Sequence, residues 1–299
     1  MQPRSDYLVR ATALDGLVRA FAIDSTATVG EFRRRHDTDP AVTAALGRLA
    51  TGTLLFGAML KEEDQLVTVR VQGNGPAGTL LASANGNGEV RGLVSNPRPD
   101  VEQVNERGKL NVSGVVGTEG RLTVTRDLGM RQPHTSTVEL ISGEVGEDLA
   151  HFLATSEQIP SAVGIGVFVQ TTGDVEAAGG YIVQLMPGIN DAQAAEIEAL
   201  IRDLPHPTTM LRQGDRPEQI LGRIFADDLQ ILENKPVRFH CPCSRERAER
   251  ALLLLGRDEL KSLIAADAEK GASEVTCQFC TAVYTITIPE LEGLLSTLN

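Results

Sequence analysis

The sequence predicts an α+β protein, with an N-terminal antiparallel-sheet domain that carries a few helices, a helical linker and a small C-terminal domain. Three observations carry this expectation. Apolar residues alternate with polar ones at period two in segments bounded by turn residues, as Val67, Val69 and Val71 do with Thr68, Arg70 and Gln72. Others recur at helical spacing, as Val42, Leu46, Leu49 and Leu54 do. All four cysteines, Cys241, Cys243, Cys277 and Cys280, lie in the last 60 of the 299 positions.

Residues 19–25 read as a first strand. Thr38-Asp39-Pro40 is a helix start, an N-cap side chain followed by a proline whose missing N–H costs nothing at the first helical position, and the spacing predicts a helix over 40–61. Asn85-Gly86-Asn87-Gly88 tolerates positive φ and predicts a hairpin turn between Leu80-Leu81 and a strand over 90–94. Residues 117–120 do the same between expected strands over 112–116 and 122–124, which extends an antiparallel meander. Further strands are expected over 138–141 and 163–169. In the second, Gly164 and Gly166 alternate with Val163, Ile165 and Val167 and leave one face bare for close packing. These elements make up a domain over 1–180.

The character changes after Met186-Pro187-Gly188. Asn190 with Gln193 forms a capping-box pattern ahead of Ile197, Leu200, Ile201 and Leu204, which share one helical face. A Pro-rich break at 205–207 follows, then a second helix start at Pro217 ahead of Ile220, Leu221, Ile224 and Phe225. Residues 181–231 hold four basic and eight acidic side chains, so this segment carries net negative charge and little core of its own. It is assigned as a linker over 181–233. The remaining domain, 234–299, contains a helical stretch over 245–265 and a strand over 284–288, and is small enough to need a metal or disulfides to hold it.

Composition narrows the function. With 28 Lys+Arg against 40 Asp+Glu the formal charge is -12, a poor match for a nucleic-acid backbone, whose binding depends on cationic side chains releasing counterions. The Arg33-Arg34-Arg35 run and Arg245, Arg247 and Arg250 read as solvated faces, the latter interleaved with Glu246 and Glu249. Residues 1–23 are broken by Arg4, Asp6, Arg10, Asp15 and Arg19, so no secretory leader is expected, and the longest apolar stretches fall short of the roughly 20 residues of a membrane span. A cytoplasmic protein without membrane or nucleic-acid partners is expected.

The cysteines form a C-x-C and a C-x-x-C pair separated by 33 residues. In extended chain, positions i and i+2 point the same way, so Cys241 and Cys243 can present both sulfurs to one point, and Cys277 and Cys280 can do so from a tight turn. Four converging thiolates suit one tetrahedral zinc ion at about 2.3 Å from each sulfur, a closed site with no open position for a substrate. His240 falls on the opposite side of the strand from its neighbour Cys241 and is expected at the surface or behind the ligands. A thioredoxin-like redox motif would need a βαβ context that Cys277 and Cys280 lack. The same thiolates are nucleophiles toward peroxide or hypochlorite, and oxidised sulfur is a poor zinc ligand, so oxidation should expel the metal.

The chain resembles the redox-regulated thirty-three-kilodalton heat-shock chaperone family, the bacterial chaperonin or holdase, over essentially its whole length. The resemblance runs through Leu46-Gly47-Arg48-Leu49, Thr51-Gly52-Thr53-Leu54-Leu55, Gln72-Gly73-Asn74-Gly75-Pro76, Ser95-Asn96-Pro97, Ser156-Glu157-Gln158-Ile159-Pro160-Ser161 and Gln184-Leu185-Met186-Pro187. Most specific is Cys241-Pro242-Cys243-Ser244-Arg245-Glu246-Arg247 followed by Cys277-Gln278-Phe279-Cys280 and Tyr284.

That resemblance implies an ATP-independent holdase, inactive when reduced and zinc-bound. It further implies zinc ligands at Cys241, Cys243, Cys277 and Cys280, disulfides Cys241–Cys243 and Cys277–Cys280 on oxidation, unfolding of a metastable linker, homodimerisation, and binding of unfolded client proteins. Phe152 stands where the family commonly has Tyr, and Thr281 where it often has Asn or Gly, a difference that bears on the turn around the metal.

An enzyme is the first rival reading. No nucleophile elbow is present, Gly73-Asn74-Gly75 lacks the P-loop pattern and its lysine, and His36, His134, His151, His206 and His240 are scattered without metal-binding spacing, so no catalytic residue is assigned. Ser156-Glu157-Gln158 reads as a helix end or an interface segment. The second rival is a redox-insensitive structural zinc ribbon that serves as an interaction module.

Overall fold

In a computed structural model of the chain, which describes residues 5–106 and 108–298, two compact units are present, Met1–His240 and Cys241–Asn299. Arg4, one of the charges that break the N-terminal stretch, lies outside the described residues. The fold is α+β. Among the described residues no helix is long and apolar enough to cross a membrane.

The first unit opens with a hairpin of β1 (Tyr7–Ala13) and β2 (Val18–Asp24), then α1 (Thr26–His36) and α2 (Pro40–Gly57). It continues through β3 (Leu66–Gly73), β4 (Thr79–Asn85), β5 (Glu89–Val94), α3 (Val112–Val116), β6 (Gly120–Asp127), β7 (His134–Glu139), α4 (Gly146–Thr155), β8 (Ser161–Val169) and β9 (Val175–Leu185). Three short helices follow, α5 (Asp191–Arg202), α6 (Pro207–Gln213) and α7 (Pro217–Phe225), and two more strands, β10 (Gln230–Pro236) and β11 (Arg238–Phe239). One sheet has the order β10-β1-β2-β9-β8 and the other β11-β5-β4-β3-β6-β7.

The core of this unit is built around α2. Leu46, Leu49, Leu54, Leu55 and Phe56 are buried together with Phe21 and Ile23 of one sheet and Val67, Val69, Val71, Leu80 and Leu122 of the other. Burial all round is what a helix of this composition requires, since each large apolar side chain removed from water contributes about 1.5–3 kcal/mol. Gly52 brings the helix close to α4, because a Cβ there would lie 2.3 Å from Leu149 Cδ1. The helix stops at Gly57, short of the expected residue 61, where Met59 N–H donates to Phe56 O and Leu60 N–H to Gly57 O and tighten the last turn.

Period-two alternation in the first sheet feeds two apolar layers. Leu8, Phe21 and Ile23 face α2, whereas Val9, Ala11, Ala20, Ala22 and Val183 face the linker helices, whose Ile197, Met210, Leu211, Ile220, Leu221, Ile224 and Phe225 are buried against them. The linker's apolar faces are therefore largely covered by this sheet, Leu200 of α5 excepted, which is 40% exposed. Asn190 caps α5 as the pattern predicts, accepting from Gln193 N–H at 2.9 Å.

Several expectations are corrected. Residues 112–116 are not a strand of the meander but the helix α3, whose Val112, Val115 and Val116 are buried at helical spacing and whose last carbonyls accept from Gly75 and Ala77 N–H at 2.9 and 3.0 Å. The break at 205–207 is instead the start of α6, with Pro207 in its first turn and His206 at its N-cap. β9 continues through Tyr181–Gln184, which pair with both β2 and β8, and β10 covers Gln230–Pro236.

The second unit holds α8 (Arg245–Leu253), α9 (Arg257–Asp267), a hairpin of β12 (Ala272–Thr276) and β13 (Val283–Thr287), and α10 (Ile288–Thr297). The expected single helical stretch over 245–265 is two helices, separated by Gly256 at φ +88. Among the described residues its apolar centre has four buried side chains, Leu252, Leu260, Ile286 and Leu291, with half-buried apolar residues such as Leu263, Val275 and Leu294 packed around them, a small core for a unit of this length.

Candidate metal centre

The four cysteines converge in this second unit. Their Sγ atoms all lie within 4.8 Å of one another, with Cys241 and Cys277 at 3.8 Å and Cys243 and Cys280 at 3.2 Å. No disulfide joins any two of them.

Local sequence explains the placement. Cys241-Pro242-Cys243 lies outside helix and strand and leads into α8, whose N-cap Ser244 accepts from Arg247 N–H at 3.3 Å. Arg245 then anchors the helix, donating to Thr285 O at 2.8 Å and to Glu290 at 2.7 Å. Cys277 follows β12 and Cys280 precedes β13, and the turn between them is closed by Thr281 N–H to Cys277 O at 2.7 Å and Cys277 N–H to Ala282 O at 2.8 Å. Thr281 holds φ +61, a left-handed conformation that a β-branched residue adopts only under constraint.

A tetrahedral ion bonded to four sulfurs at about 2.3 Å sets them about 3.8 Å apart, close to the spacing seen, so the donor set can hold one metal ion. Tyr284 Oη donates to Cys243 Sγ at 3.0 Å. Burial pushes the Cys241 and Cys280 thiols up. Burial acts the same way on Cys243, but the Tyr284 hydroxyl and the neighbouring thiols outweigh it and bring its pKa to about 7, making it the readiest of these three to ionise. Tyr284 itself is pushed up to about 12, mainly by that hydrogen bond, so its hydroxyl keeps its proton.

His240 is exposed and donates its backbone N–H to Val90 O. Arg34 and Arg35 pair with Glu31, while Arg33 donates to Gly173 O, so that basic run is engaged within the fold. Ser156-Glu157-Gln158 closes α4, with Glu157 paired to Arg126 at 2.5 Å. Tyr284 was legible only as one letter of a motif. The signal for its contact is register: paired with Val275 in the hairpin, it stands beside the turn that carries Cys277 and Cys280.

Comparison with known proteins agrees with this arrangement. The family model described as Hsp33 protein matches residues 6–287. The chain is 48% identical over 289 residues to the 33 kDa chaperonin of Bacillus subtilis, covering 97% of this chain and 98% of that one. It is 47% identical over 292 residues to the 33 kDa chaperonin of Listeria monocytogenes, with 97% and 98% covered. The crystal structure of the 33 kDa chaperonin from Thermotoga maritima superposes with a TM-score of 0.91 at 36% identity, covering 98% of this chain and 99% of that one. Near-complete coverage in both directions, together with the same fold and a C-terminal four-cysteine cluster, means that the chain belongs to the Hsp33 family.

Proposed function

We propose that this chain is a redox-regulated, ATP-independent holdase, inactive when reduced with zinc on Cys241, Cys243, Cys277 and Cys280, and active when those thiols are oxidised. The observation that carries this reading is the four-sulfur cluster in a unit whose apolar centre has four buried side chains among the described residues. Bound zinc would tie the C-x-C segment to the β12–β13 turn, contributing a binding energy of about 10–16 kcal/mol, as in small zinc peptides, to a unit that cannot supply it by packing. It is therefore coupled to the redox state of its ligands.

The chemistry at the sulfurs balances without a further cofactor. A cysteine thiolate attacks peroxide or hypochlorite to give a sulfenic acid, releasing hydroxide or chloride. A second thiolate then displaces hydroxide from that sulfur and forms the disulfide. A disulfide needs about 2.05 Å between sulfurs, far below the 3.2 and 3.8 Å of the closest pairs here, so metal-holding and oxidised geometries exclude each other. We assign the bonds to Cys241–Cys243 and Cys277–Cys280. Once the unit opens, these sequence neighbours have the shortest loops to close.

Loss of the unit is then passed to the linker over 181–233, which we take to be metastable, and the sheet face beneath α5, α6 and α7 becomes available to unfolded clients. Domain 1–180 supplies client binding and the homodimer contact of the active state, and 234–299 the redox switch. No catalytic residue is assigned.

The test is light scattering from a chemically unfolded client, with the protein either reduced and metal-loaded or treated with peroxide at mild heat, while a chromophoric chelator counts released zinc. Suppression confined to the oxidised sample and proportional to zinc release supports the reading. Zinc release with undiminished aggregation would leave a structural ribbon.

A further inference from the structure

β10 occupies the end of the five-stranded sheet, yet none of its seven residues is buried; Ile231 and Leu232 remain 45% and 55% exposed. Its partner β1 is the opposite, with Leu8, Val9, Ala11 and Ala13 all buried. The two strands pair from Tyr7↔Pro236 to Thr12↔Gln230, interrupted by a register shift between Arg10 and Ala11. What fastens β10 is backbone hydrogen bonding, continued one residue beyond it by Val237 N–H to Asp6 O at 3.1 Å where the buried Val237 anchors the chain, and the clip from Lys235 Nζ to Gly86 O at 2.8 Å. A strand held in this way can leave without opening the core beneath it. Its position in the chain favours that, since it lies between α7 and Cys241.

We propose that β10 is a removable plug and that the β1 edge it covers is a strand-addition site for an extended segment of unfolded polypeptide. The proposal rests on the holdase reading and adds a sheet edge to the face beneath α5, α6 and α7 that the reading offers to clients. The Val237-to-Asp6 bond sets the phase of the antiparallel ladder, so Leu8 and Arg10 turn their N–H and C=O groups toward β10, while Tyr7 and Val9 turn theirs toward β2. Departure of β10 exposes those groups as a ready-made template, and an exposed edge of this kind is satisfied by pairing with another chain. The present occupant shows what the edge demands: no side chain of β10 is buried, so recognition there is through the backbone and tolerates any client sequence that can extend.

The experiment uses the full chain with a benzoylphenylalanine photoprobe in place of Arg10 and, as a control, in place of Thr135 on β7, the always exposed edge of the other sheet. Chemically unfolded citrate synthase is the client, and light scattering is read on the same samples. Amide exchange at Leu8 and Arg10 is followed in parallel on the wild type. We expect client cross-links from the Arg10 position only after oxidation, about tenfold above the Thr135 position, with Leu8 and Arg10 amides losing protection on oxidation and regaining it when client is added. Lys235→Ala, which removes a clip without touching the core, should speed exchange of those two amides about fivefold in the reduced, metal-loaded protein, the equivalent of one lost hydrogen bond. Suppression of scattering with equal labelling at both positions, or with Leu8 and Arg10 still protected, overturns the plug alone. Cross-links that join two copies of the chain also overturn it, in favour of strand exchange between copies. Absence of suppression in the oxidised wild type instead removes the holdase reading, and the plug with it.

Discussion

Tyr284 Oη lies 3.0 Å from Cys243 Sγ and donates its proton to it, across a sequence separation of 41 residues. The phenol sits on β13 with its ring against the small apolar centre of the second unit, so the contact couples the Cys243 sulfur to that packing.

Tyr284→Phe keeps the ring and removes the proton donor. A hydrogen bond to a charged acceptor contributes about 1.5–3 kcal/mol, and its loss concentrates charge on the Cys243 sulfur, which makes it the stronger nucleophile. Peroxide-driven zinc release should therefore speed up several-fold in the variant, measured with a chromophoric chelator under pseudo-first-order peroxide. An unchanged rate would mean that Cys243 is not the sulfur that reacts first.

Thr281 bears on the same turn through its backbone. At φ +61 its branched Cβ crowds the chain, at a cost of about 1–2 kcal/mol relative to a residue suited to that region. Thr281→Gly and Thr281→Asn should relieve the strain and slow both oxidative zinc release and thermal unfolding of the second unit. Asn is expected to give the larger net gain, because Gly also loosens the unfolded chain. Calorimetry of the reduced protein would check the stability, and slower release without a gain in stability would place the effect elsewhere.

How much of this could be read from the sequence depended on whether one local signal decided the outcome. Val67, Val69 and Val71 alternate and are buried as read, and the cysteine spacing anticipated a cluster that the fold does assemble. Residues 112–116 misled because their β-branched valines suggest a strand, while their burial at i, i+3 and i+4 and the glycine-rich loop that receives their carbonyls make a helical turn. α1 went unread because its arginines look like a solvated run. Their partners, Glu31 nearby and Gly173 O from a distant hairpin, come only with the fold. The glycine alternation at Gly164 and Gly166 was visible, but what fills the bare face was not: Tyr181 stands against the first, and His206 with Thr208 against the second.

Metal removal under strictly reducing conditions separates loss of the ion from oxidation of the thiols. With a centre of four buried side chains among the described residues, Leu252, Leu260, Ile286 and Leu291, the second unit should unfold on chelation. Amide exchange should show protection lost through α8, α9 and α10 and retained at Leu46, Leu49, Val69 and Leu122 in the first unit. Persistence of protection at Leu260 and Ile286 without metal would show that packing alone suffices.

Gly166 tests how the linker is seated. A Cβ at this position would lie 2.2 Å from His206 Cε1 and 2.8 Å from Thr208 Cγ2, so Gly166→Ala must displace the residue that caps α6, where His206 Nδ1 meets Thr208 Oγ1 at 2.8 Å. Loss of a cap costs about 1 kcal/mol and overpacking about 1–3 kcal/mol more, borne by the linker's attachment while β8 stays paired with β9 through eight further residues. The reduced, metal-loaded variant should show faster proteolytic nicking between residues 186 and 216 and a lower peroxide threshold for suppressing client aggregation. If nicking accelerates while the threshold stays put, the α5–α6 segment moves without controlling access to clients, and the gate must lie at α7 or β10.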